Sequence, residues 1–101
     1  MADNKIIASK QEAYKTIEGL SVDVSTFATE INQVLTSITK DVNELGKYWN
    51  GDGYSNFKAA MDKEVVKGKK ISESASSLST KLKTKSAEVK KFIDFLKAIG
   101  K

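Results

Sequence analysis

The sequence predicts an all-α protein: an antiparallel helical hairpin that pairs with a second hairpin to form a four-helix bundle dimer. Two arms of roughly forty residues each carry apolar residues at alternating steps of three and four, which is typical of packed helices. The chain contains no Pro, as expected for long uninterrupted helices, and no alternating strand pattern of useful length. Its length fits one domain, residues 1–101, with arm one at about 5–49, a turn at about 50–53 and arm two at about 54–98.

The first arm has an apolar seven-residue repeat. Ser9 and Glu12 have the spacing of a capping box, so Ser9 is one candidate helix start. Ile6 and Ile7 precede it and leave an earlier start open. The candidate core or dimer seam of this arm consists of Ile17, Leu20, Val24, Phe27, Ile31, Val34, Ile38 and Leu45.

The second arm repeats the pattern with two exceptions. Gly68 interrupts the seam and indicates either a close helix approach or a bend, and Lys85 indicates a snorkelling side chain or a frayed stretch. The Ser/Thr-rich segment 72–86 keeps its apolar residues in phase, so we interpret it as helix with its small polar residues facing outward. The candidate seam of this arm consists of Met61, Val65, Ile71, Leu78, Leu82, Val89, Phe92 and Leu96.

The only Trp of the chain lies in the predicted turn, within the segment ELGKYWNGDGYSNF. Gly51 is suited to the left-handed conformation that ends a helix, and Asp52 or Ser55 could cap the second helix. Trp49 has two interpretations: it closes the end of the bundle by packing on neighbouring aromatic residues, or it forms a docking surface. The candidate turn and docking residues are Tyr48, Trp49, Asn50, Gly51, Tyr54 and Phe57.

Each arm also has apolar residues beside the predicted seam, namely Ala28, Leu35, Val66 and Ile93. One facing helix covers only part of so wide an apolar stripe, which is why we expect a dimer or a larger helical partner. Charge favours side-by-side arms, because residues 1–48 have five Lys and seven acidic residues whereas residues 49–101 have twelve Lys and six acidic residues. An acidic sister protein or a second copy would suit these charges equally.

Composition excludes several classes of function. With no Cys and no His, the chain lacks thiolate nucleophiles, disulfides, zinc thiolate sites and the commonest general base. No phosphate-binding glycine loop is present, so we expect neither catalysis nor a cofactor or metal. All 17 basic residues are Lys, without the Arg that reads bases, so nucleic acid is not an expected partner. No apolar run could span a membrane, and no signal peptide is visible.

The triplet Trp49-Asn50-Gly51, central in a chain of this length between two heptad-patterned arms, resembles the WXG family of ESAT-like proteins exported by type VII secretion systems. The resemblance implies a dimerising helical hairpin that moves from the cytoplasm to the exterior without a cleaved signal peptide. It implies pairing with itself or a sister hairpin, contact with the secretion ATPase, and sometimes carriage of a larger exported toxin. A Gram-positive source and a role in virulence are further implications.

The chain departs from the family in its tail, FIDFLKAIGK, which lacks the Y-x-x-x-D/E pattern of members that display an export signal. Tyr14 and Glu18, and Tyr48 and Asp52, have that spacing but lie in the first arm and the turn. A partner that supplies the signal is the natural inference, or else a divergent signal on the second helix. Two alternatives to an export function remain at this stage: a membrane-active helical effector, although membrane contact is not favoured, and a plain coiled-coil interaction module.

Overall fold

A computed structural model describes residues 2–100, with side chains from residue 4 onward. It contains two α-helices, α1 (Ala2–Leu45) and α2 (Asp52–Ile99), and no strand within these residues. The predicted all-α antiparallel hairpin is confirmed. The four-helix dimer and the assignment of the whole chain to one domain stay predictions.

The first helix begins before the candidate capping box. Ser9 is an exposed residue within α1, so of the two starts that the sequence left open, the earlier one, before Ser9, is correct. The physical reason is that packing continues upstream, since Ile7 is already partly buried. The helix therefore follows its apolar repeat and not the first available capping signal.

The connection between the helices spans residues 46–51, a longer segment than the predicted turn at 50–53. The Tyr48 and Trp49 amides both donate to the Leu45 carbonyl, each over 3.0 Å, and tighten the end of α1. Gly51 has φ of 101°, the left-handed conformation expected from the sequence. It lies directly before α2, and its carbonyl accepts from the Ser55 amide.

The contacts of the chain fall into two compact units, each containing part of both helices. The turn unit is Thr26–Ala75; the open-end unit comprises the residues up to Ser25 and those from Ser76 onward. In the turn unit, Ser72 bonds to Ala28 while Tyr54 bonds to Val42, so the helices run antiparallel. In the open-end unit, Ser79 bonds to Ser21 and the Lys10 ammonium lies over the Phe92 ring, which again shows an antiparallel pair.

Residues at seven-residue spacing form the buried core. We call these positions the inner registers: 7, 14, 21, 28, 35 and 42 on α1, and 65, 72, 79, 86 and 93 on α2. The middle registers are positions 17, 24, 31, 38 and 45 on α1, and 54, 61, 68, 75, 82, 89 and 96 on α2. Most of these residues are half-buried. The sequence interpretation that placed Ala28, Leu35 and Ile93 beside the seam is wrong, because all three are buried inner-register residues.

Serines line the inner register of α2, contrary to the prediction that the polar residues of segment 72–86 face outward. Ser72, Ser79 and Ser86 are all buried. The Ser72 hydroxyl donates to the Ala28 carbonyl over 3.0 Å, and the Ser79 hydroxyl donates to the Ser21 carbonyl over 2.9 Å. The small size of these serines permits close helix approach. The Ser72 and Ser79 hydroxyls both have backbone acceptors on α1, so their burial leaves neither hydroxyl without a hydrogen bond.

Glycines make room for side chains from the opposite helix. A Cβ atom at Gly68 would lie 2.6 Å from a methyl carbon of Leu35, so the close-approach interpretation of Gly68 is confirmed. A Cβ atom at Gly46 would lie 2.7 Å from the Tyr54 hydroxyl, which donates over 2.7 Å to the Val42 carbonyl. The phenol ring of Tyr54 is rigid and is held by this bond, so Gly46 has little tolerance for a side chain.

Replacing Gly46 with Ala is therefore expected to lower the free energy of unfolding by about 1–2 kcal/mol, because it displaces the Tyr54 hydroxyl from its acceptor. Gly19 provides the matched control: a Cβ atom there meets nothing within 4 Å. Gly19→Ala should stabilise helix α1 by up to about 1 kcal/mol. Urea denaturation of both variants measures the difference, and equal effects would contradict the assigned role of Gly46.

Candidate partner-binding surface

Three aromatic residues form a cluster at the turn. The Trp49 ring centroid lies 5.9 Å from that of Tyr54, in an edge-to-face arrangement at 61°, and 5.6 Å from that of Phe57. Both distances are in the range of favourable aromatic pairs. The cluster therefore brings together three of the six candidate turn residues, and the packing role of the indole is present in the fold.

The remaining candidate turn residues face solvent or shape the backbone. Tyr48 is 85% exposed and Asn50 is exposed, while Gly51 supplies the left-handed conformation. Trp49 itself remains 40% exposed despite its two ring contacts. The turn thus presents a partly exposed indole next to a largely exposed phenol, which is a suitable surface for a partner protein.

Sequence reasoning missed two glycines that support this cluster. A Cβ atom at Gly53 would lie 3.2 Å from the Trp49 ring, so Gly53 provides the space in which the indole lies. Gly46 does the same for Tyr54, as described above. The sequence shows three glycines near the turn, but nothing in it distinguishes a glycine that sets the backbone from one that accommodates a ring.

Most of the predicted seam lies outside the buried core of the hairpin. Val65 alone is buried; the half-buried members are Ile17, Val24, Ile31, Ile38, Met61, Leu82, Val89 and Leu96. The others are exposed, namely Leu20, Phe27, Val34, Leu45, Ile71, Leu78 and Phe92. Leu45 excepted, these exposed residues lie in a third set of seven-residue positions, which we call the outer registers: 6, 13, 20, 27, 34 and 41 on α1, and 57, 64, 71, 78, 85, 92 and 99 on α2.

Within each of the two units, the two outer registers lie on the same side of the antiparallel helix pair. Viewed from the N-terminus of either helix, the three registers follow one another around the helix axis in the same order: outer, middle, inner. Because the helices run in opposite directions, this common order brings both outer registers to one side. In the turn unit, that side presents Phe27, Val34 and Ile71; in the open-end unit, it presents Leu20, Leu78 and Phe92.

Three charged residues interrupt the outer registers: Asp41 on α1, and Glu64 and Lys85 on α2. Glu64 forms an ion pair with Lys67 over 3.2 Å, and Lys85 pairs with Glu88 over the same distance. Lys85 lies within α2, so it marks no frayed stretch. Each charge of the α2 outer register therefore has an opposite charge one helical turn away.

Among the described residues, the protein has no group of three or more His, Asp or Glu side chains clustered to hold a metal ion. None of the described helices is long and apolar enough to cross a bilayer. The apolar content of the helices is instead distributed in the registers described above.

The comparison with protein families agrees with this geometry. A family model described as WXG100, proteins of 100 residues with WXG, matches residues 12–92. The chain belongs to the WXG100 family. No curated protein and no solved structure shows significant similarity to the chain.

Membership in the WXG100 family identifies the chain as a helical protein that is similar to the substrates of type VII secretion systems. The Trp and Gly of the family triplet are Trp49 and Gly51, which have distinct tasks here, ring packing and a left-handed backbone. The Tyr14 hydroxyl donates to the Glu18 carboxylate over 2.7 Å within α1, and this bond raises the pKa of the Tyr14 phenol. The second pair with this spacing, Tyr48 and Asp52, does not lie within one helix. Tyr48 lies in the turn, and Asp52 begins α2.

Proposed function

We propose that this WXG100 protein is a small type VII secretion substrate or export partner that acts through helical dimerisation. Its outer registers bind a second helical hairpin, either another copy or a sister protein. The pair leaves the cytoplasm without a cleaved signal peptide, and it can accompany a larger exported toxin to the secretion ATPase.

The exposure of the outer registers is the observation that supports pairing most directly. Phe27, Val34 and Ile71 in the turn unit are each more than half exposed, at 51%, 57% and 53%. Full burial of one such side chain contributes roughly 1.5–3 kcal/mol. Apolar residues that recur on one side of a helix pair, and not singly over its surface, mark an interaction site.

The aromatic turn cluster supports the second part of the proposal, contact with the export machinery or a co-exported partner. Trp49, Tyr48 and Phe57 are exposed at a helix connection, where large aromatic residues serve as binding anchors. We assign recognition to the part of the Trp49 side chain that remains exposed beside its ring contacts with Tyr54 and Phe57.

Export through this route is tested by comparing culture supernatants of a parent strain and a strain that lacks the export ATPase. We expect the protein in the medium of the parent strain and only in the cell pellet of the mutant. Equal amounts in both supernatants would contradict the proposed export function.

Replacing Trp49 with Ala is expected to reduce secretion sharply, because the anchor of the turn surface is lost, while the helical hairpin persists with a modest loss of stability. Trp49→Phe is the matched control, since it keeps an aromatic ring against Tyr54 and Phe57 but lacks the indole edge. Quantitative immunoblots of pellet and medium, with circular dichroism of the purified variants, separate the two effects. Unchanged secretion of the Ala variant would leave the indole only its packing role.

A further inference from the structure

A groove between the two helices of the open-end unit has no role in the proposed function. Its volume is about 650 Å³, which is in the range of small-molecule pockets, and residues of both helices line it. We propose that this groove binds a small, soluble phosphate monoester with an apolar body, and that the Ser86 hydroxyl and three lysines hold the phosphate. The inference goes beyond the proposed function, because it concerns a different side of the hairpin and a different kind of ligand.

The groove lies on the side of the open-end unit away from the outer registers. On α1 its lining includes Lys15, Glu18 and Val22, which lie beyond the inner register when the helix is followed around from its outer register. On α2 the corresponding residues are Lys83 and Lys90. A hairpin that binds the outer registers would therefore leave this groove open.

Ser86 provides an unused hydrogen-bond donor at the floor of the groove. The residue is only 3% exposed, and among the described residues its hydroxyl has no hydrogen-bond partner. Ser72 and Ser79, which precede it in the same register, both donate to α1 carbonyls. Buried polar groups are normally hydrogen-bonded, so the Ser86 hydroxyl is an exception that a ligand oxygen in the groove would satisfy.

The nearest polar group to this hydroxyl on α1 is already engaged. The Tyr14 hydroxyl donates to the Glu18 carboxylate over 2.7 Å. This bond raises the pKa of the Tyr14 phenol, and Ser86 lowers it to a smaller extent, although the two hydroxyls do not form a hydrogen bond. Ser86 therefore keeps its proton available for an acceptor that enters the groove.

Three lysines give the groove its positive charge. Lys15 lies on α1, whereas Lys83 and Lys90 lie three residues before and four residues after Ser86, on the same side of α2. The ion pairs of the described residues involve other lysines, so the three ammonium groups are available for an anion. Together with the Ser86 hydroxyl they form a set of donors from both helices.

The charge balance around the groove favours an anion. Glu18 is the one acidic residue among those that line it, so three lysines and one carboxylate leave a net charge of +2. The open-end unit has ten Lys and six acidic residues, whereas the turn unit has seven of each. The net charge of +4 therefore belongs to the unit that contains this groove.

The donor set favours a phosphate over a carboxylate. A phosphate monoester offers three acceptor oxygens, and lysine binds phosphate as a point charge. Planar carboxylates are typically held by the fork of an arginine, and the chain has no Arg. Gly19, Val22 and Ala87 line the groove without polar side-chain atoms, so the organic body of the ester would lie against them.

The turn unit contains a second groove that provides an internal comparison. Its volume is about 520 Å³, and three lysines line it as well, Lys40, Lys47 and Lys69. The inner-register residue of this groove is the buried, apolar Leu35, in place of Ser86. The second groove offers positive charge without a buried donor, so we expect it to bind a phosphate monoester much more weakly.

The test is a titration of the isotope-labelled full-length chain with phenyl phosphate at constant ionic strength, followed by NMR. We expect saturable shifts of the amide signals of the groove residues. The dissociation constant should be about fivefold or more below that of inorganic phosphate, because the phenyl ring adds apolar contact. Benzoate carries the same ring on a carboxylate and should bind more weakly. Equal affinity for benzoate would overturn the phosphate assignment, and shifts that do not saturate or do not centre on the groove would overturn the site.

Ser86→Ala separates ligand binding from packing. It should raise the dissociation constant for phenyl phosphate about tenfold, because a hydrogen bond to a charged oxygen is lost. The free energy of unfolding should stay the same or rise, since the hydroxyl has no partner in the fold. Ser79→Ala is the matched control: it should lower stability, because its hydroxyl donates to the Ser21 carbonyl, and leave binding unchanged. Equal effects of the two variants on binding would contradict the role of Ser86.

Lys83→Gln and Lys90→Gln should each raise the dissociation constant about threefold or more, because each removes one ammonium group from the groove. Lys69→Gln, in the groove of the turn unit, removes the same charge and should have no effect. If Lys69→Gln weakens binding as much as Lys83→Gln does, the attraction follows net charge and the proposed site is wrong. A chain that is exported normally but does not bind phenyl phosphate would overturn this inference while leaving the proposed function intact.

Discussion

Replacing Phe27 with Asp is expected to weaken the association of the hairpin with its partner by about 100-fold or more, while the isolated hairpin keeps its helices. The side chain is 51% exposed in the outer register of α1, so its loss removes little from the core of the hairpin. At the interface, the substitution deletes about 2–3 kcal/mol of apolar burial and adds a carboxylate without a partner. Sedimentation equilibrium measures association, and circular dichroism at low concentration checks the helices.

Val66 offers a closely matched control in the same unit. It is 52% exposed, almost the same fraction as Phe27, but it lies on the side of α2 opposite the outer register. Val66→Asp introduces the same charged side chain and should leave association unchanged. If both variants weaken association equally, the binding surface does not follow the outer registers.

Replacing Ser79 with Leu is expected to lower the free energy of unfolding by about 2–4 kcal/mol. Ser79 is only 4% exposed, and its hydroxyl lies within hydrogen-bond distance of the α1 backbone. Overpacking at such a position costs about 1–3 kcal/mol, and the lost hydrogen bond to the Ser21 carbonyl adds about 1 kcal/mol. Chemical denaturation followed by circular dichroism measures the change.

Ser77→Leu is the control for this substitution, because Ser77 is exposed on the outward side of α2. Leu favours helix slightly more than Ser does, so a neutral or small stabilising effect is expected there. Equal stability of the two variants would mean that the inner register of α2 tolerates a large side chain. That result would contradict the close helix approach described for this register.

The periodicity of the apolar residues predicted the two helices, because their spacing of three and four residues follows from the geometry of a single helix. It could not decide which of three adjacent registers faces the other helix. The inner register of α2 contains Ser72, Ser79 and Ser86, whereas the outer one contains Phe, Ile and Leu. A ranking by hydrophobicity therefore favours the outer register, whereas the buried register of α2 includes Ser72 and Ser79, whose hydroxyls donate to α1 carbonyls in contacts that local sequence does not show.

The turn was predictable in its position but not in its extent. Gly51 has the expected left-handed conformation, but it lies directly before α2 and not at the end of α1, where the sequence predicted it. The helix α1 ends earlier than predicted, at Leu45, and the next residue, Gly46, leaves space for Tyr54, eight positions along the chain. Contacts of this kind become apparent only when the second helix is in place.

The serines of the inner register of α2 also affect how much folded protein a cell can retain. Separating the two helices exposes the buried serines together with the buried apolar side chains, so a single hairpin keeps its helices with only a small margin of stability, and binding a partner adds to that margin. By mass action, a higher concentration of partner then raises the folded, partner-bound fraction of the protein. Molecules without a partner are degraded first by proteases. We therefore expect stoichiometry, more than intrinsic robustness, to determine the steady-state abundance of this protein.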